Sequence, residues 1–263
     1  FDLTYYQKRR YNLIDFADLS EATGFYQKYV NIDTETTKKG LELTLGVTPV
    51  STRDWKWHVN FNWAKDITYY TKLDSLYAED LPWIKVGNRI DAYTVYDWQR
   101  DADGNIIHQN GMPVISDYLS VHGYSNPDWV WGINTDLQYK SLTLGISVDG
   151  RVGGLSFSRL DALLWHSGAH IDTDNQWRYD EVVNGLTNYV GPGVKVVSGT
   201  VEYDTYGQII SDTRVFAPND VEVSYEGYTR RYHTGAWSWR SQNILDETFV
   251  KLRELYISWK VPT

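Results

Sequence analysis

With 263 residues and a net charge of −9, the chain has room for one large all-β domain or two ordinary ones, and it lacks the basic balance of a nucleic-acid partner. It has no cysteine, which removes disulfides and thiolate metal sites, and no run approaching the ~20 apolar residues of a membrane-spanning helix. The 12 Trp and 21 Tyr, against 7 Phe, combine an apolar body with a polar handle, and a mean hydropathy of −0.47 suits a transmembrane β-barrel as well as a soluble protein.

The chain begins inside an alternating run at Phe1, which predicts a strand to about Arg10. The period-two pattern then lapses until Lys38. Over Lys38–Pro49 it returns, with Leu41, Leu43, Leu45 and Val47 on one face and Glu42, Thr44, Gly46 and Thr48 on the other. Pro49–Asp54 reads as a short turn, because a proline cannot extend a central ladder. The next strand, Trp55–Ile67, sets Trp55, Trp57, Val59, Phe61 and Trp63 against Lys56, His58, Asn60, Asn62 and Ala64. After a long polar stretch come two more strands, Trp129–Tyr139 and Leu142–Val152, joined only by Lys140-Ser141. Trp131, Ile133, Leu137, Leu142, Leu144 and Ile146 share one face of this hairpin; Asn134, Asp136, Thr143 and Asp149 share the other. A second long stretch precedes the last strand, Thr248–Lys260. There Leu255, Ile257 and Trp259 form an apolar face that Lys251 and Arg253 are expected to continue at an outer rim. With neither an initiator Met nor a signal peptide, and with strand patterns at both ends, the sequence reads as an internal piece of a longer protein.

A face bearing three Trp beside Val and Phe is either the core of a soluble sandwich or a surface facing lipid, and composition leaves both open. Loop lengths favour lipid. The connections alternate long (about 11–37), short, very long (71–128), minimal, and longest (153–247), as expected of an outer-membrane barrel with short periplasmic turns and long extracellular loops. The expectation is therefore an all-β chain in which residues 1–263 form one partial transmembrane domain of about six antiparallel spanning strands, with no enzyme signature. Six strands cannot close a lumen alone.

Several phrases then resemble one family. They are Lys39-Gly40-Leu41-Glu42-Leu43 with Thr48-Pro49 and Asp54-Trp55-Lys56-Trp57; Asn126-Pro127-Asp128-Trp129-Val130-Trp131-Gly132 with Tyr139-Lys140 and Asp149-Gly150-Arg151-Val152-Gly153-Gly154; and Phe249-Val250-Lys251-Leu252-Arg253 with Pro262. Their wording and order resemble a late barrel section of the SusC/RagA-like TonB-dependent transporters of the Bacteroidota outer membrane. The resemblance implies a 22-stranded barrel with an N-terminal plug that lies outside this sequence and contacts TonB. It also implies a SusD-like surface lipoprotein as partner, and import of oligosaccharides or peptides. A soluble carbohydrate-binding β-sandwich and a passive porin-like barrel are the alternatives.

The polar face supplies lumen candidates, chiefly Asn134, Asp136 and Asp149. Trp165, Trp177, Tyr179, Trp237 and Trp239, in the longest loop, are candidates for substrate contact, because aromatic faces stack on sugar rings and line ligand pockets. That loop carries 13 of the acidic residues against 7 basic ones, and so holds most of the negative charge. Asp101, Asp103 and Asn105 have the first spacings of a calcium loop, but Gly104 falls one position early and the closing glutamate is missing, so an Asp-Gly turn is expected, as at Asp204–Gln208. His166, His170, Asp172 and Asp174 are a weaker metal candidate, and no metal or other cofactor is expected.

Overall fold

The computed structural model describes residues 1–234 and 241–261, and the chain divides into two compact units. The first comprises Phe1–Ala92, Tyr124–Leu155 and Asp246–Thr263; the second comprises Tyr93–Gly123 and Ser156–Leu245.

The first unit is built on one antiparallel sheet of six strands: β1 (Asp2–Arg10), β2 (Glu35–Ser51), β3 (Trp55–Lys72), β4 (Trp129–Tyr139), β5 (Leu142–Val152) and β6 (Phe249–Trp259). Each pairs with its neighbour in sequence, an up-and-down meander without crossovers. β4, β5 and β6 have 11 residues each, the length that carries a tilted strand across a bilayer. β2 and β3 are longer, at 17 and 18 residues, and stay paired from Glu35–Lys72 to Ser51–Lys56. The β2–β3 turn is accordingly shorter than the proline suggests. Val47 pairs with Val59 and Val50 with Trp57, so Thr48 and Pro49 fall in a bulge and the proline needs no ladder partner. Thr52 closes the turn, its N–H donating to Trp55 O at 2.8 Å and its Oγ1 accepting from Trp55 N at 3.0 Å. The β4–β5 turn is the two residues Lys140-Ser141, with Lys140 in the left-handed region (φ 53°).

The register keeps both faces intact across five pairings. Leu43, Trp63, Trp131 and Gly150 form one apolar row; Val47, Val59, Thr135 and Ile146 form another. Thr44, Asn62, Gly132 and Asp149 form a polar row, and Gly46, Asn60, Asn134 and Ser147 the next. One expectation is overturned. A bulge lies where Ser147 pairs with Glu254 but Val148 pairs with Leu252, which leaves Arg253 unpaired and shifts the alternation. Lys251 opposes Asp149, and Arg253 reaches the same carboxylate, so both basic residues belong to the polar face and Leu252 and Val250 continue the apolar one. Strict alternation from Leu255 predicts the reverse, because the sequence does not announce the extra residue.

The rest of the first unit is a hairpin of Leu13–Asp18 and Gln27–Ile32 and the segment after β3. The hairpin is absent from the sequence reading because Leu13, Ile14, Phe16 and Ala17 put apolar groups on both of its faces. The chain leaves this unit after Ala92 and returns at Tyr124, where Ser125 N donates to Asp91 O at 2.9 Å. It leaves again after Leu155 and returns at Asp246, where Glu247 N donates to Gly154 O at 2.9 Å. Both points of departure are thus hydrogen-bonded to their points of return.

The second unit carries helices α1 (Arg159–Ser167), α2 (Gln176–Asn184) and α3 (Tyr225–Thr234) beside a four-stranded sheet, in which Val194–Ser198 runs parallel to Ile107–Gln109. Ser158 caps α1 by accepting from Asp161 N, and Asn175 caps α2 by accepting from Arg178 N. Both helices end at a left-handed glycine, Gly168 and Gly185. Val95, Trp98, Ile107, Ala162, Tyr225 and Tyr228 are buried. The expected hairpin turns are present: Asp101 Oδ1 accepts from Asp103 N (3.0 Å) and Asn105 N (2.8 Å), and Asp204 Oδ1 from Tyr206 N and Gln208 N (both 2.8 Å).

Candidate functional site

The polar face of the sheet is a continuous array of hydrogen-bonding side chains. Asn134 Oδ1 accepts from Ser147 Oγ (2.7 Å), Asp136 accepts from Tyr256 OH (2.6 Å), and Asp149 takes a bidentate pair from Arg253 Nε and Nη2 (2.5 and 2.9 Å). The three sequence candidates thus share one face, each fixed by a side chain from an adjacent or next-but-one strand. Two rows repeat one device. Tyr6 lies across Gly40 towards Asp66, and Tyr256 lies across Gly145 towards Asp136, each on a single register row of three strands. A Cβ on either glycine would collide with the tyrosine ring, so glycine is what lets the ring lie flat on the wall. The result is a hydrogen-bonded surface that alternates hydroxyl, amide and charge.

The opposite face is apolar and uncovered: Leu255 is 62% exposed, Ile257 74% and Trp259 63%. Two of its polar side chains satisfy each other. Trp57 Nε1 donates to Thr135 Oγ1 (2.8 Å), which donates to His58 O (3.1 Å). Trp55 and Tyr139 meet at a tilt of 38° with ring centres 4.4 Å apart beside the two short turns, and the Lys140 ammonium lies 5.2 Å from the Tyr139 ring centre. An apolar band closed by an aromatic pair and a cation matches a membrane interface.

At the other end of the strands lies a network that sequence reading missed. Arg89, 8% exposed, donates from Nε and Nη2 to Asp91 (2.9 and 2.8 Å), from Nη1 to Asp128 (2.6 Å) and from Nη2 to Asn126 O (3.1 Å), with Tyr124 stacked 3.8 Å from its guanidinium. Burial pushes the Asp91 carboxyl up, but Arg89 and Asn126 outweigh it and hold it below the ordinary carboxylate value. Asn126 and Asp128 were legible as part of a family phrase; Arg89, far from them in sequence, carried no signal of its own.

In the second unit, Trp165 is sandwiched. His233 lies 3.6 Å and His170 4.3 Å from its ring centre, both nearly parallel to it. Two imidazoles that close cannot lie side by side on one face, so both indole faces are occupied. Burial and the nearby His170 push the His233 imidazole down to about 4. Trp165 borders a cavity of about 220 Å³ that also presents Arg178, Glu181, Tyr225 and Arg230, and a smaller one of about 170 Å³ walled by Tyr189, Tyr228 and Tyr232. Arg178 is spent on Gly168 O (2.7 Å) and Thr173 Oγ1 (2.9 Å), whereas Arg230, paired with Glu226 at 2.9 Å, remains half-exposed. Trp177 meets Tyr189 edge-on at 5.6 Å and Tyr179 is exposed; two positions apart on α2 they point to different sides, and neither borders these two cavities. Trp237 and Trp239 lie outside the described residues. Asp101 is occupied by its own turn and by Asn105 Nδ2 (2.9 Å), which holds its carboxyl below the ordinary range. His170 lies 3.4 Å from Asp161 and 3.6 Å from Asp172, and among the described residues no three His, Asp or Glu side chains gather around a common point.

No known family's sequence profile matches the chain, and no curated protein matches it by sequence. Solved structures do. The chain is similar to the RagAB peptide importer in its "closed-closed" state (TM-score 0.57, 14% identity), to the RagAB peptide transporter (0.56, 13%) and to the RagAB peptide importer in its "open-open" state (0.57, 12%). Each match covers 99% of this chain and 27%, 27% and 26% of the other, so the chain spans about a quarter of the length of these neighbours. At such identities the likeness is one of fold, and it is all-β.

Proposed function

We propose that the chain forms part of the wall and outer vestibule of an outer-membrane importer of the SusC/RagA kind, working with a SusD-like lipoprotein and energised by TonB through a plug outside this sequence. The observation that carries this reading is the two-faced sheet: six strands in simple meander order, apolar and uncovered on one side, hydrogen-bonding on the other, with every short turn at one end. In water, each large apolar side chain left exposed forgoes about 1.5–3 kcal/mol, so a face of this breadth needs lipid or a second sheet. Among the described residues the next largest sheet has four strands of two to five residues, too little to complete a sandwich. In this reading lipid takes the apolar face, substrate passes the polar one, and no residue is assigned a catalytic role. The neighbours are peptide importers by name, which favours peptides over oligosaccharides as cargo.

Detergent dependence is the first test. A full-length protein that stays monomeric in plain buffer ends the barrel reading. The second is uptake of a labelled oligopeptide and a labelled oligosaccharide by cells carrying the wild-type gene or Trp165→Ala or Trp237→Ala. Uptake unaffected by both variants removes those residues from the substrate path.

A further inference from the structure

A cavity of about 370 Å³ lies in the first unit, beyond the sheet proper. Its floor is the row formed by Thr36 and Tyr70, which continues the polar face past Gly40 and Asp66. Three segments wall it. Leu13 and Ile32 come from the hairpin after β1, Leu73 and Tyr77 from the turn after β3, and Ile84 and Ile90 from the stretch that returns alongside β3.

The walls are pinned. Asp74 Oδ1 accepts from Leu76 N (2.8 Å) and Tyr77 N (3.0 Å), Oδ2 from Asp33 N (2.7 Å), and Asp74 N donates to Thr34 Oγ1 (3.0 Å). The returning stretch is held by Tyr70 N to Asn88 O (3.0 Å), Gly87 N to Tyr70 O (2.8 Å) and Ile90 N to Thr68 O (3.1 Å). The cavity is therefore preformed, its aliphatic walls interrupted by Thr34, Thr36 and Tyr70, and it lies in the size range of ligand pockets.

Its mouth differs from its surroundings. Nearby charges are matched: Arg9 with Glu35 and Lys72 with Asp33. At the cavity itself, Arg10 and Glu79 have no ion pair or side-chain hydrogen bond among the described residues, and Asp15 accepts only from its neighbour Phe16 N (2.8 Å). Groups of both signs thus stand open around a hole of mixed aliphatic and hydroxyl lining.

We propose that this cavity is a peptide subsite. It takes one large aliphatic or aromatic side chain, while Asp15 and Glu79 receive an ammonium and Arg10 a carboxylate or main-chain carbonyl of the same peptide. This rests on the importer reading and assigns a place on this chain where its peptide cargo is held.

The test is calorimetric titration of the full-length protein in detergent micelles with trileucine, triglycine and cellotriose. Trileucine should bind at least tenfold tighter than the other two. Ala78→Trp, which fills the cavity from its wall, should remove that tenfold. Asp15→Asn with Glu79→Gln, exposed changes with little bearing on folding, should weaken trileucine three- to tenfold. Triglycine or cellotriose binding as tightly as trileucine overturns the proposal, as does wild-type affinity in a folded Ala78→Trp protein. If Ala78→Trp does not fold, wild-type affinity in the Asp15/Glu79 double variant is itself decisive against it. Peptide uptake measured in parallel separates the two levels. Absent uptake in wild-type cells removes the importer reading, whereas normal uptake with unchanged binding in the variants removes this pocket alone.

Discussion

Replacing Arg89 with methionine keeps most of the side-chain volume and removes the charge. Asp91, whose side chain is 8% exposed, then keeps only the N–H groups of Asn126, at 3.1 and 3.0 Å. Removing one partner of a buried ion pair costs about 3–5 kcal/mol, because the remaining charge stays desolvated. The pH dependence supplies a sharper signature. In the wild type the Asp91 carboxyl is held below its unfolded value, so its contribution is present above about pH 4 and is lost as the pH falls through the folded value. In Arg89→Met, burial acts without the guanidinium and the folded value rises. The variant's deficit should therefore be largest near neutrality and shrink towards pH 4. Removing both charges in Arg89→Met/Asp91→Leu should recover most of the loss. The assay is hydrogen exchange of residues 84–95 and 124–128 in the full-length protein in micelles at pH 4.5 and 7.5. A loss below about 1 kcal/mol, an equal loss at both pH values, or a double variant no better than the single one would refute the argument.

Three further outcomes follow from the geometry. Leu144→Arg, on the apolar face, should cost about 2–4 kcal/mol in refolding into lipid vesicles if it lies near the bilayer midplane, while Thr143→Arg on the polar face should cost little; equal penalties would contradict the two-faced wall. Gly145→Ala should destabilise by about 1–3 kcal/mol by displacing the Tyr256 ring, and Tyr256→Ala in the same chain should relieve most of it; urea-midpoint shifts read both, and a harmless Gly145→Ala would mean the ring is not seated there. His233 has its folded value lowered to about 4, so its contribution to the second unit is full above its unfolded value near 6.5 and fades as the pH falls towards 4; protection of α3 should decline over that window, and His233→Phe should flatten the decline.

How much of this was legible depended on whether the signal was periodic. The six strands and their two faces follow from alternation, since Trp55, Trp57, Val59, Phe61 and Trp63 cannot share a face in any other regular structure, and the antiparallel meander follows from the alternation of short and long connections. Where one residue breaks the period, as at Arg253, everything beyond changes face, and the sequence carries no mark of it. The helices of the second unit were not foreseen, because α2 (Gln-Trp-Arg-Tyr-Asp-Glu-Val-Val-Asn) leaves no residue buried and so has no apolar stripe to read. The candidate site was legible by chemistry only. Trp165 is aromatic and lies beside cavities, but its two imidazole neighbours come from 5 and 68 positions along the chain, a juxtaposition made by folding. Arg89 is the same case, a single arginine that pairs with nearby Asp91 but whose other partners, Asn126 and Asp128, lie across an excursion of residues 93–123.

The hydrogen bonds from Ser125 to Asp91 and from Glu247 to Gly154 bear on how such a protein diversifies. Each excursion into the second unit begins and ends at one clasped point, so to the sheet it is a closed loop of no fixed length. Residues 93–123 or 156–245 could be lengthened, shortened or exchanged without altering the register of any of the six strands, since only the two ends must meet. Selection can therefore remodel the second unit while the alternation that gives the six-stranded sheet its two faces stays untouched. A chimera joined at these clasps is the natural way to transplant one second unit onto another sheet.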